Sequence, residues 1–470
     1  MQYTARLEPL MIIDSPKRRA HLLAIASRLP EHVARLGWSA EQIARERQVR
    51  LRETVAWAKS HSSWYAERLA DIDPEMMTED TLRDIPVMNK SDVMSNWDAI
   101  VTDKRLTLEG CNAHIQDKLR GRTKDYYYLD DYEVFATGGS SGSRGVFVWG
   151  WNEFIEIACV TFRYQYRDES MHFSSGRRVL AVIEAGEIVH GSPFLFSVTP
   201  HPDADIHWFP AQTPMPQLVD ELNRTQPTHI NCFASSLQEL AGEALSGRLN
   251  IRPRHVATNS EPLMPEAREA ARQAWGIDIN NMWGCVEVGH VGIECDRHEG
   301  MHMSDDAVIT EFVDADDRPT GDPDEIAKVL VTSLFNRVQP IIRYELTDIA
   351  IPSVKPCSCG AAFPLIREVK GRSDDAFRYP AGVSVHPLVF RTPLGQHPMI
   401  EQYQVQQTPH GAAIRIITRG ELDLGLLKRD LADALKAAGL EKPDIELDVV
   451  ETLQRHAETG KLKRFIPLKQ

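Results

Sequence analysis

The run Thr137-Gly138-Gly139-Ser140-Ser141-Gly142-Ser143-Arg144-Gly145 interleaves four glycines with hydroxyl side chains. Glycine lets the backbone turn through positive φ and present its amides closely to an anion, while Ser and Thr hydroxyls add neutral donors. The chemistry expected of this loop is phosphate binding. It has neither the Gly-Lys-Ser/Thr ending of a P-loop nor the G-x-G-x-x-G spacing of a dinucleotide-binding turn.

A second group of chemical residues is soft. Cys295 and His302 lie seven apart around Gly300, and Cys357-Ser358-Cys359-Gly360 adds two thiols on a turn. Three thiolates and one imidazole suit a closed, tetrahedral zinc site of structural kind. His298 is the alternative imidazole. The chain has seven cysteines, an odd number unevenly spread, which fits metal binding better than a disulfide framework.

These residues need a scaffold of more than one core, since 470 residues exceed what a single core organises. Hydrophobic residues at 42% and charged residues at 26% are the balance of a globular protein, and no apolar run could span a bilayer. A net charge of -14 argues against nucleic acid or an anionic membrane as the main partner. The N-terminal residues lack a basic and then apolar leader, so a cytoplasmic location is expected.

Residues 15 to 110 read as helical. Strands are then predicted at Val179–Ile183, His229–Phe233, Val256–Asn259 and Ala327–Thr332, with helical patterns at Gln217–Arg224 and Glu266–Trp275 between them. The alternation predicts an α/β fold with a parallel sheet and ligands at strand carboxyl ends. A smaller α+β unit is predicted beyond Gly371, from strands at Ala412–Ile417 and Ile445–Val450 and a helix at Leu422–Ala438.

Taken in order, the glycine loop, Ser260-Glu261-Pro262-Leu263, Trp283-Gly284-Cys285-Val286-Glu287, Arg343-Tyr344-Glu345-Leu346-Thr347-Asp348, the Gly371-Arg372 segment and Thr459-Gly460-Lys461-Leu462-Lys463-Arg464 form a series. Together with Leu82-Arg83-Asp84-Ile85-Pro86-Val87-Met88-Asn89-Lys90-Ser91-Asp92, it resembles the adenylate-forming (acyl-CoA synthetase) superfamily in its phenylacetate-CoA ligase-like branch. The resemblance runs from about residue 50 to the end. It implies a large multi-layer adenylation domain over residues 1–373 and a small mobile α+β domain over 374–470, hinged at Asp374.

It also implies two half-reactions: a carboxylic acid, aromatic in this branch, attacks the α-phosphate of ATP, and the acyl-adenylate passes to a thiol such as coenzyme A. By the same resemblance Thr137, Gly138, Gly139, Ser140, Ser141 and Gly142 hold the triphosphate. Ser260, Glu261, Pro262, Trp283, Gly284, Asp348 and Arg372 complete the ATP site, with Trp283 packing on adenine and Asp348 accepting from the ribose hydroxyls. Glu287 ligates Mg²⁺, and Lys461 is the catalytic cation of the first step. A Cys, His and Cys-x-Cys set like the one above also recurs in the branch.

The chain departs from the pattern in places. Ser143-Arg144 stands where the superfamily's loop ends Gly-Lys-Pro, Val286 where it has Thr, and Trp283 where Tyr is common. The acid pocket is expected near Ile183–Phe194, Phe233–Leu237 and Asn281–His290. There Glu184, Glu187, His190 and His290 mix with aromatic and small residues, a combination suited equally to an amino- or hydroxy-substituted acid and to a hydrated cleft rim. Capture of the adenylate by an amine, a hydroxyl or a carrier-protein thiol, and a non-catalytic nucleotide or acyl-ligand binder, are the alternatives. The particular acid and the oligomeric state are not legible.

Overall fold

The apolar runs after residue 179 are buried along nearly their whole length, as strands covered on both faces must be. The computed structural model describes residues 16–120, 122–123, 127–137, 144–172, 176–186, 190, 204–322, 325–395, 397, 399–456 and 459–468. Strand Val179–Glu184 lies between Asp205–Pro210 and His229–Phe233, followed by His255–Asn259 and Asn280–Cys285, all parallel. The sheet then continues antiparallel through Gly289–Glu294, Met301–Met303, Leu365–Arg372 and Asp348–Ser353, nine strands in all.

Helices Met215–Thr225, Ala234–Leu245 and Pro265–Trp275 connect the parallel strands. Local signals fix the limits of the last of them. Pro265 opens its helix at the position where no amide donor is needed, and Gly276 closes it at φ 69°. Leu218, Val219 and Leu222 carry the buried stripe of the first of these helices.

One expectation is corrected. The Ala327–Thr332 run forms strand Lys328–Ser333, but in a separate three-stranded antiparallel sheet between Val308–Val313 and Tyr344–Leu346. An apolar run alone carries no information on strand direction, and no crossover helix flanks this one.

The long N-terminal helices Pro16–Arg35 and Ala40–His61 brace helix Trp151–His172 through His32–Glu156 at 3.3 Å and the partly buried pair Arg50–Glu156 at 2.7 Å, and Arg163 of that helix pairs in turn with the buried Asp306 at 2.8 Å. Beyond Asp375, strands Ile400–Thr408, Gly411–Thr418, Asp444–Val449 and Phe465–Ile466 form a four-stranded sheet with helices Leu388–Gly395 and Leu424–Ala437. This unit has its own core, in which Phe377, Phe390, Tyr403, Leu431 and Phe465 pack together. Among the described residues, no helix is long and apolar enough to cross a membrane.

Candidate active site at the strand ends

Three parallel strands end side by side at Glu184, Phe233 and Asn259, with Phe233 in register with Asn259. The buried Glu184 carboxylate accepts from the Asn259 amide at 2.6 Å and from the Asn231 amide, tying the strand ends together. The chain leaves Asn259 through Ser260, whose φ of 66° turns it sharply out of the sheet. That turn carries Glu261 back toward the neighbouring strand end. One Glu261 oxygen accepts the Ser235 N–H at 2.9 Å, at the start of helix Ala234–Leu245, and the other accepts the Leu462 N–H at 2.7 Å.

Trp283, Gly284 and Glu287 lie on the hairpin between strands Asn280–Cys285 and Gly289–Glu294. A Cβ on Gly284 would come within 2.3 Å of the Gly289 carbonyl, so this tight crossing requires glycine. The Trp149 indole N–H holds the turn by donating to Val286 O at 3.1 Å. Glu287 is buried at its tip and accepts from the Tyr344 hydroxyl at 2.9 Å. On the far side, the Trp283 indole N–H donates to Asp348 Oδ1 at 3.3 Å.

Asp348 pairs in register with Arg372 across adjacent strands, their charged atoms 3.9 Å apart. Burial pushes the Asp348 carboxyl up, and Arg372 and the Trp283 N–H oppose that push. Asp374 follows in a short turn and accepts from the Thr347 hydroxyl at 3.0 Å.

Gly138, Gly139, Ser140, Ser141, Gly142 and Ser143 lie outside the described residues, as does Glu187. The base of that loop is defined: Thr137 N–H donates to Gly145 O, and Gly145 N–H to Thr137 Oγ1, both at 2.9 Å. Lys90 Nζ donates to the same Thr137 hydroxyl at 3.0 Å. Burial lowers the proton affinity of Lys90, and the charge of Glu287 counters it. Segment Met88–Asn89 reaches this position because Met88 bonds to Arg343 O and Glu345 N–H, alongside Tyr344. Asn89 then caps helix Lys90–Ser95.

Lys461 comes from the far end of the chain into the same mouth. Its Nζ sits 5.5 Å from the centre of the Phe233 ring. Burial lowers its proton affinity, while Glu261 and then Glu184 work the other way. Arg372 and Asp348 are close enough to act on it as well. Of the expected pocket histidines, His190 Nδ1–H donates to Ala136 O (3.0 Å) and His290 bonds to the Thr161 hydroxyl (2.9 Å). Burial pushes both down to about 4, so each is a neutral hydrogen-bonding group at pH 7.

Away from this mouth, one ligand atom each from Cys295, His302, Cys357 and Cys359 lies within 4.8 Å of the others. Cys295 and Cys357 sulfurs are 3.6 Å apart and Cys359 Sγ is 3.4 Å from His302 Nε2. A disulfide would need about 2.0 Å, whereas thiolates around tetrahedral zinc at about 2.3 Å sit about 3.8 Å from each other. The donor set therefore fits such an ion. His302 Nδ1 faces Phe363 O at 3.3 Å, a contact that fixes the ring, and His298 faces Glu294 instead.

Two residues at the mouth escaped the sequence reading. Lys90 stands in a quoted segment but had no role, and Tyr344 supports Glu287 from a strand more than fifty residues away. Nothing in local spacing signals either. Arg343, in the same segment as Tyr344, turns inward and donates to Glu311 and to Ile85 O.

No family model matches the chain. The phenylacetate-coenzyme A ligase of Thermus thermophilus is 26% identical over 190 residues, 38% of this chain and 42% of that enzyme. The match thus spans less than half of its relative. Among solved structures, 2-hydroxyisobutyryl-CoA ligase in its postadenylation state, bound to an acyl-AMP, superposes with a TM-score of 0.71 at 18% identity, covering 93% of this chain and 91% of that one. The same ligase in its thioesterification state gives 0.57 at 17% identity, covering 92% and 91%. The anthranilate CoA ligase AuaEII with anthranoyl-AMP gives 0.52 at 15% identity, covering 70% and 65%. The chain has the fold of the adenylate-forming (acyl-CoA synthetase) enzymes.

Proposed function

We propose that the protein is an ATP-dependent acid–thiol ligase. A carboxylate oxygen attacks the α-phosphorus of ATP, pyrophosphate leaves, and the acyl-adenylate then yields its acyl group to the sulfur of coenzyme A with release of AMP. The observation that carries this reading is the convergence of Lys461, Glu261, Asp348 and Arg372 at one strand-end mouth, from segments up to two hundred residues apart. Lys461 stabilises charge building on the α-phosphate, Lys90 and the glycine loop hold the triphosphate, and Asp348 receives the ribose hydroxyls. Trp283 offers its face to adenine. Glu287 is the residue that would hold Mg²⁺, a hard ion that neutralises phosphate charge.

The acid is an aromatic one bearing an amino or hydroxyl group, a reading supported by the buried Glu184 with Asn231 and Asn259 beside the Phe233 ring. Cys295, His302, Cys357 and Cys359 would hold structural zinc, away from the chemistry. Residues 374–470 are read as the mobile domain.

Pyrophosphate release from ATP and Mg²⁺ with phenylacetate, aminobenzoates and hydroxybenzoates tests the reading. Acid-dependent release is expected, and Lys461→Ala cuts it by about 10²-fold while chemically supplied acyl-adenylate is still consumed with coenzyme A. Nucleotide binding without acid-dependent release from any member of the panel overturns it in favour of a non-catalytic binder.

A further inference from the structure

Helix Ala234–Leu245 opens without a side-chain cap of its own, since Phe233 precedes it. Four amides at such an end need acceptors, and the end favours negative charge. Glu261 supplies both with one oxygen, through Ser235 N–H, and with the other takes the Leu462 N–H of the C-terminal unit. The contacts around it join the same two units. Arg455 donates to Ser235 Oγ at 2.9 Å, Gly460 O at 3.0 Å and Glu239 at 2.7 Å. Gln402 donates to Ser235 O at 3.0 Å, and Gln238 to Glu401 O. The residue after Gly460, which turns at φ 71°, is Lys461.

Resting on the ligase reading above, we propose that Glu261 is the positioning residue of adenylation: it clasps the Lys461 loop against the strand-end mouth when the C-terminal unit closes, and does not act through ATP. Each of its oxygens already accepts a backbone amide, so the carboxylate senses closure directly. Its charge also acts on the lysine it positions. Against the burial that lowers Lys461, Glu261 is the largest opposing influence, ahead of Glu184, with Asp348 adding to them and Arg372 working with burial. His190 and His456 also face this ammonium, each lowered in part by its charge. Rotation of the C-terminal unit for the second half-reaction breaks the Leu462 contact, so the clasp serves the first step only.

Two substitutions in the full-length protein test this. Without ligands, Glu261→Ala is expected to speed amide hydrogen exchange in residues 459–464 by about fivefold to tenfold, the loss of one anchoring hydrogen bond. With ATP and the aryl-acid panel, it is expected to slow pyrophosphate release about tenfold and to leave consumption of supplied phenylacetyl-adenylate with coenzyme A within about twofold. Glu261→Gln keeps an amide acceptor and loses the charge. Lys461⁺ then lacks its strongest support, its pKa falls further, and the alkaline limb of adenylation moves to lower pH. Unchanged exchange, an unmoved alkaline limb, or equal losses in both half-reactions overturns the proposal. Where the unaltered protein releases no pyrophosphate, the ligase reading falls separately, and the exchange result alone upholds or overturns the clasp.

Discussion

Replacing Lys90 by methionine isolates the contribution of one charge at the end of the site proposed to hold the triphosphate. The stem is packed: a Cβ on Gly145 would meet Lys90 Cε at 2.9 Å and Phe147 at 2.8 Å, so methionine fills the space with little disturbance. The ammonium sits 3.0 Å from the Thr137 hydroxyl that closes the glycine loop, where a bound phosphate would lie near it. A unit charge about 4 Å from a phosphate oxygen is worth about 4 kcal/mol at an effective dielectric of about 20. Loss of a single preorganised donor in enzymes costs about 10²–10³-fold. Lys90→Met is therefore expected to slow single-turnover pyrophosphate release by about 10²-fold, with the melting temperature shifted by no more than a few degrees. Burial holds Lys90 below the ordinary lysine value of 10.5. The charged form is the active one, so activity present at lower pH is lost as pH rises through that lowered pKa, and the variant lacks this limb. Release within threefold of the unaltered protein would refute a phosphate-facing Lys90.

Three further outcomes are expected. Elemental analysis after chelator washing should find about one zinc per chain, with Cys357→Ser losing the metal and soluble yield; metal-free protein of equal stability refutes the site. Asp374→Pro locks φ at the junction of the two units, so stopped-flow assays should show one half-reaction slowed by more than the other, and unchanged rates in both reject the hinge. Tyr344→Phe removes the 2.9 Å bond to Glu287 and should raise the Mg²⁺ concentration for half-maximal adenylation about fivefold, the equivalent of about 1 kcal/mol; an unchanged Mg²⁺ titration removes Tyr344 from the site.

What could be read from the chain follows the range of the forces involved. Strands His229–Phe233 and His255–Asn259 and helix Pro265–Trp275 carry their own signals, an apolar run or an amphipathic stripe with Pro and Gly at its ends, and they appear within a residue or two of the prediction. Lys328–Ser333 was found as a strand and missed in direction, because direction is decided by the connection and not by the run. The site divides in the same way. Cys295, His302, Cys357 and Cys359 are soft donors whose types alone restrict their use, and their ligand atoms meet. Lys90 and Glu261 are ordinary charged residues, and only the fold gives them partners: Thr137 is 47 positions from Lys90, and Leu462 is 201 positions from Glu261. Their contribution depends on tertiary distance. Glu261 depends further on the orientation of the C-terminal unit, since the contact that joins it to the Lys461 loop is made by a backbone amide, a group every residue but proline offers and no sequence pattern can mark. That is why a glutamate read from resemblance as part of the ATP site is found with both oxygens on protein amides, and why exchange at Leu462, whose amide one of those oxygens accepts, is the measurement that separates the two roles.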